Sequence, residues 1–306
     1  MYFGEACNDF YRRCVGMNLS NNTIDSYRKD LLLFGKFMVA SEIKDVLKVS
    51  PNDILMYLDY VRNRGLAPIS VADKFTSLRV FFNYLVQAER LLKSPLENMR
   101  KPKVPKKHAR TFTNKEVLEI LNYFDKNTFT GYRNYMIMCV LFGTGMRRSE
   151  LLGLSVLDVH FDENLITVLG KGNKERSIPM SAYLKRVLKK YLVLRESLCK
   201  EQVATFTPAL IVNQKGDKLT VHGIDTVFRQ LKENLQIPKG RLSPHTWRHT
   251  FAKSFLLNGG DVFSLQRILG HEDISTTQIY IEYTLSELKV QNDKFNPLDN
   301  SRWQYY

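Results

Sequence analysis

Four short segments of this 306-residue chain carry side chains suited to work on anions. In the first, Thr144-Gly145-Met146-Arg147-Arg148-Ser149-Glu150, a glycine turn leads into a helix that starts on two arginines. The second, Gly170-Lys171-Gly172-Asn173-Lys174-Glu175, joins two runs of β-formers and puts Lys171 at a hairpin tip. The third is Ser243-Pro244-His245-Thr246-Trp247-Arg248-His249, with Ser243 as cap and Pro244 at the first helical position. Three residues apart, His245 and Arg248 share a helical face. The fourth is Leu269-Gly270-His271, followed by Tyr280 and Tyr283. Taken singly, an arginine at a helix start is an ordinary surface charge and a lysine at a turn is ordinary solvation. His245 and His249, four apart, also fit a metal pair. A zinc protease motif would need Glu at 246 rather than Thr, however, and no cysteine is near, so zinc is not expected.

The chain as a whole favours a polyanionic partner. It has 45 Lys and Arg against 31 Asp and Glu, a formal charge of +14. Each phosphate such a surface neutralises releases condensed counterions. A hydrophobic content of 44% supplies a packed core and excludes wholesale disorder. No run of about 18 apolar residues would cross a membrane. Met1-Tyr2-Phe3-Gly4-Glu5 lacks a secretory pattern, and Cys7, Cys14, Cys139 and Cys199 form no CxxC pair, so free thiols in a reducing cytoplasm are expected.

Positioning these segments requires two bodies. Residues 1–100 read as an all-helical domain. Ile24, Tyr27, Leu31, Phe34 and Met38 recur every three or four positions. Asn52 or Asp53 can cap a helix through Ile54, Leu55, Leu58 and Val61, and Pro68 opens another through Val71, Phe75, Leu78, Phe81, Phe82 and Leu85. Residues 101–110 carry Lys101, Lys103, Lys106, Lys107 and Arg110 with two prolines and no acid, which predicts an extended basic linker. Thr113 and Glu116 then form a capping box opening a second domain, 111–306. Its pattern is a helix over about 131–144, strands at 165–169 and 176–179, and helices at about 181–197, 222–235, 244–258, 261–269 and 274–281.

The order of the four segments is more telling than any one of them. Arg147 to Lys171 is 24 positions, Arg248 to His271 is 23, and His271 to Tyr280 is nine. With Glu150, this series resembles the tyrosine recombinase (phage integrase) family, most closely its short Xer-like members, over nearly the whole chain. The resemblance implies a mainly α protein with a small β-hairpin or sheet. A helical core-binding domain and an α+β catalytic domain would form a C-shaped clamp on double-stranded DNA, with the basic linker crossing between them.

It also implies the chemistry. A tyrosine oxygen attacks a backbone phosphate, leaving a 3′-phosphotyrosine and a free 5′-hydroxyl, without ATP, metal or other cofactor. Arg147 and Arg248 would clamp the phosphate, His245 would take the phenolic proton and Lys171 would protonate the leaving oxygen. His271 would bond the phosphate or orient Tyr280, and Glu150 would support the site. Three choices rest on the family pattern: Arg147 over Arg148 by its register with Glu150, Tyr280 over Tyr283 by spacing from His271, and His245 over His249 by His-x-x-Arg.

The tail past Tyr280, with Leu285, Leu288 and Val290 at roughly helical spacing, would dock on a neighbour in a tetrameric synapse. The length leaves no room for the extra amino-terminal domain of long phage integrases. A Lys-, Asn-, Tyr- and Ile-rich composition suggests an AT-rich genome, and the tail from Asn296-Pro297-Leu298 to Tyr306, unlike a housekeeping Xer ending, favours a mobile-element integrase or transposase in the bacterial cytoplasm, at the nucleoid. A chromosome-dimer resolving Xer enzyme is the alternative, ahead of a type IB topoisomerase or a silent DNA-binding protein.

Overall fold

The structure is a computed structural model of the full chain, and it describes residues 1–105, 110–170, 174–201, 207–238, 242–271, 273–278, 280 and 285–295. The chain divides into two compact units, Met1–Lys107 and His108–Tyr306.

The first unit is helical. Helix α1 (Phe3–Gly16) buries Ala6, Cys7, Phe10 and Cys14, one face at three- and four-residue spacing. The N-cap of α2 (Asn21–Ala40) is Ser20, whose hydroxyl accepts the Thr23 N–H at 3.2 Å. In α3 (Pro51–Asn63) the cap is Ser50, not Asn52 or Asp53. Proline suits the first helical position, and Asp53, now the third, returns its carboxylate to the Ser50 N–H at 2.8 Å. Helix α4 (Pro68–Gln87) starts on its proline as expected and buries all six apolar residues of its stripe. The stripe expected of α3 loses one member: Leu55 is 52% exposed, since it sits one residue round from the buried Ile54, Leu58 and Val61. Aromatic rings fill the centre, with Phe34 edge-on to Tyr57 at 5.0 Å and Phe10 edge-on to Phe81 at 5.5 Å.

The second unit is built around one buried helix. Thr113 and Glu116 close the expected capping box on α5 (Asn114–Asn122). Helix α6 (Phe129–Thr144) is buried without interruption from Tyr132 to Leu141, and apart from Arg133 and Asn134 that run is apolar or aromatic. It packs against α8 (Ala182–Glu201) and α10 (Pro244–Leu257). Short α7 (Arg148–Gly153) leads to an antiparallel sheet ordered β1 (Val159–His160), β2 (Leu165–Leu169), β3 (Glu175–Pro179), with Val168 opposite Arg176 and Ile166 opposite Ile178. Two-residue β1 carries too short a pattern for the sequence to announce.

Helix α9 (Val221–Asn234) buries Ile224, Val227, Phe228 and Leu231, and α11 (Val262–Leu269) and α12 (Ser275–Gln278) follow α10. The last helix, α13 (Leu285–Phe295), lies against α10 of its own domain. Lys253 pairs with Glu287 at 2.7 Å, and the Gln291 amide donates to the Leu257 carbonyl at 3.0 Å. Among the described residues no helix is long and apolar enough to cross a membrane.

Two substitutions test this packing. Phe34→Ala should cost about 3–5 kcal/mol by opening a cavity in the first unit. Leu55→Ala, on the exposed side of α3, should stay within about 0.5 kcal/mol of wild type. Denaturant midpoints followed by circular dichroism separate the two; equal losses would contradict the assigned helix face.

Candidate active site

The site is organised by Arg248, which is only 5% exposed on α10. Its helix is fixed by the Ser243 cap and by Trp247, packed between Phe112 at 4.8 Å and Phe142 at 5.6 Å. The guanidinium donates to the Gly145 and Leu269 carbonyls, each at 2.8 Å. Both lie at helix ends closed in the left-handed conformation. Gly145 (φ 63°) caps α6, and Gly270 (φ 66°) caps α11. A Cβ at Gly145 would collide with the Phe251 ring, and one at Gly270 would come within 2.9 Å of the Arg176 side chain. Glycine is therefore required twice, by conformation and by space.

From the same guanidinium a third bond reaches Nε2 of His271 at 2.7 Å. Arginine only donates, so Nε2 accepts and the imidazole proton sits on Nδ1, which donates to Thr277 Oγ1 at 2.8 Å. Burial, and then the charges of Arg248, Arg147 and Arg176, push His271 down to about 4. It is neutral at pH 7.

Tyr280 stands beside this pair, 5% exposed, its ring stacked over His271 with centroids 6.4 Å apart. The hydroxyl lies 2.9 Å from Nδ1 of His249. Burial raises the phenol above its usual value, and the charges of Arg248 and Arg147 pull it partly back. The histidine at the hydroxyl is thus His249, not His245. One helical turn separates the two, and only the later one is level with Tyr280. His245 is exposed in the first turn of α10. It is lowered by burial and by Arg248, Arg148 and Arg147, which places it among the guanidiniums.

Arg147 caps α7 and shares the buried Glu150 with Arg176 of β3. Glu150 accepts the Arg147 backbone N–H at 2.7 Å and its side chain at 2.8 Å, and both Arg176 amino groups at 2.9 Å. Burial alone would raise this carboxyl, but the bonds from Arg176 and Arg147 outweigh it and hold it at about 2. Arg176 also donates from Nε to the Ile268 carbonyl at 2.8 Å, tying the sheet to α11. Arg148, the rival to Arg147, turns instead to Asp225 on α9.

The structure therefore gathers Arg147, Glu150, His245, Arg248, His271 and Tyr280, and adds His249, Thr277 and Arg176. Arg176 carried a legible signal: in a strand it shares the face of Ile178, two residues on and buried, so a cation points inward. A cleft of about 570 Å³ opens over Arg147, Gly170, Arg176, Ser177, Gly270 and His271. Lys171 lies outside the described residues, as do Tyr283, Lys106 and Lys107. Lys101, Lys103 and Arg110 are exposed.

Residues 110–286 match the phage integrase family, and residues 15–89 match its N-terminal SAM-like domain. The chain belongs to the phage integrase family of tyrosine recombinases. It is 35% identical over 285 residues to the tyrosine recombinase XerD of Halalkalibacterium halodurans, covering 92% of this chain and 94% of that protein. A crystal structure of XerA recombinase matches 96% of this chain and 99% of its own at 29% identity, with a TM-score of 0.52. The Tn1549 transposon integrase, solved in complex with transposon right-end DNA, shares the fold at a TM-score of 0.75 and 18% identity, covering 96% and 99% of the two chains. As a tyrosine recombinase it is an enzyme of DNA strand breakage and rejoining.

The Glu150 ion pairs have a pH signature. A carboxyl held at about 2 against its ordinary 4.5 contributes stability that is full above 4.5 and lost as pH falls through 2. At about 1.4 kcal/mol per unit, this is about 3 kcal/mol. Glu150→Gln should lower the melting temperature at pH 7 and flatten the decline of stability between pH 5 and 2. An acid slope equal to that of wild type would refute the assignment.

Proposed function

We propose that the reaction is site-specific DNA recombination with Tyr280 as nucleophile. The observation that carries this reading is the Tyr280 hydroxyl, set against a neutral imidazole within one pocket of guanidiniums. The Tyr280 oxygen bonds to the scissile phosphorus while the bond from phosphorus to the 5′-oxygen breaks. A 3′-phosphotyrosine results, and the freed oxygen leaves as a 5′-hydroxyl. The new ester keeps the energy of the old one, so attack by another 5′-hydroxyl rejoins strands without ATP.

His249, lowered below its ordinary 6.5 by burial and by His245 and Arg248, accepts the phenolic proton. His245, assigned to that task by its position in the family pattern, instead faces the phosphate beside Arg147 and Arg248. Their forked donors match two phosphate oxygens, and such preorganised donors are each worth about 3–4 kcal/mol of barrier. Lys171 is the proposed acid for the leaving oxygen, and no metal or cofactor enters the scheme.

The partner we propose is duplex DNA bearing specific sites, gripped between the domain of residues 1–100 and the catalytic domain of 111–306. The linker cations Lys101, Lys103, Lys106, Lys107 and Arg110 would track phosphates across it. Four chains would form the synapse, α13 leaving its own α10 to dock on a neighbour. The setting is the bacterial cytoplasm. For biological role we favour a mobile-element integrase. The identity to XerD supports a second reading, resolution of chromosome dimers.

The decisive test uses a nicked suicide duplex. Tyr280→Phe should form no covalent protein–DNA adduct and Tyr283→Phe should form it normally; the reverse pattern would sink the scheme. Because His249 must be neutral, cleavage should hold level around pH 7 and fall only below pH 6.5, as the imidazole gains its proton; a rate that does not fall in acid would remove His249 as the base. Deleting residues 285–306 should leave duplex affinity intact and abolish synapsis, read by native gels; a truncated chain that pairs its sites as wild type would remove α13 from the interface.

A further inference from the structure

The catalytic domain holds a second cationic pocket, of about 380 Å³, between α6, the turn at 213–217 and α9. At its floor is Arg133, in the second turn of α6 and only 7% exposed. Twelve positions separate it from Gly145, about 18 Å along the helix axis, so it stands well away from the Arg248 pocket.

A buried guanidinium without a counter-charge is costly, and Arg133 has none. Its Nε and Nη2 donate to Oδ1 of Asn134 at 3.1 and 2.9 Å, and its Nη1 donates to the Val212 carbonyl at 3.3 Å. Every acceptor is neutral, and among the described residues no carboxylate pairs with it. Two of its five N–H groups find no acceptor there either. Lys215, on the turn above, adds a second cation whose ammonium meets no acid among the described residues. The lining contains no Asp or Glu; its remaining polar groups are hydroxyls and amides, among them Asn213, Gln214 and Thr226.

We propose that this pocket binds a phosphate-class oxyanion. The two spare Arg133 donors form the fork, Lys215 closes the charge from outside, and the amides take the remaining oxygens. The occupant is either free phosphate or one phosphate of a duplex, and the chemistry of recognition is the same for both.

Asn134→Asp tests the idea because it supplies the missing carboxylate where Arg133 already bonds, preserving shape. Lys215→Gln, at an exposed position, is a second variant with no bearing on the core. The full chain is melted with inorganic phosphate against chloride at equal ionic strength. Wild type should gain stability, and the gain should fall about twofold or more in both variants, the rest coming from the catalytic cleft. An equal gain in wild type and both variants, or none in wild type, overturns the proposal. Duplex affinity across a salt series then separates the sources. A log–log slope shallower by about 0.9 in the variants identifies a DNA phosphate, and an unchanged slope identifies the free anion.

Discussion

One buried carboxylate makes the rest of this site possible. Arg147, Arg176 and Arg248 come from a helix start, a strand and a helix interior, and like charges do not gather in a low-dielectric pocket unaided. Glu150 accepts two of them directly and takes the Arg147 backbone N–H as well. Through Arg176 its hold extends to the Ile268 carbonyl, and so to the turn that carries His271. The third guanidinium is held by carbonyls that two helices release only because Gly145 and Gly270 turn left-handed. Charge balance and backbone geometry are therefore a single device, spread over α7, β3, α10 and α11.

The same field sets protonation around Tyr280. Burial first, and then the charge of Arg248, keep His245, His249 and His271 below their ordinary value, with Arg147 adding to the effect at His245 and His271, so the imidazoles are free to accept hydrogen bonds. Burial works against phenolate formation, and the same cations work for it. Tyr280, the proposed nucleophile, is held as a neutral phenol in a nearly closed position, among Ala252, Leu256, Leu265 and Leu269.

Much of this was legible in the sequence, for reasons that differ by residue. The helices of the first unit announced themselves because α2 and α4 each bury one face, and Ser243-Pro244 marked the start of α10 by cap chemistry alone. Leu55 and the Ser50 cap were misplaced by a residue or two, where several neighbours satisfy the same local rule. The family's residue order led to Arg147, Glu150, Arg248, His271 and Tyr280. Which histidine meets the phenol depends on the height of Tyr280 along α10, a tertiary fact that spacing does not contain. Thr277 escaped for a similar reason, since it acts through His271, whereas the strand pattern marks Arg176 as inward-facing but does not name its distant partners Glu150 and Ile268.

Charge arithmetic links this geometry to the proposed reaction. Arg147, Arg176 and Arg248 against Glu150 leave two positive charges, and the neutral histidines add none. A phosphodiester arrives with one negative charge and approaches two as the tyrosine oxygen bonds to phosphorus. Before Lys171 and the proton that His249 takes up are counted, this set is over-charged for the ground state and nearer balance in the pentacoordinate state, the condition for an interaction that strengthens as the barrier is climbed. A second carboxylate near Glu150 would have left one positive charge, matched to the ground-state phosphodiester, and removed that difference. The fold instead leaves the imbalance standing and contains its cost by fixing each guanidinium on backbone carbonyls or on the one acid it retains.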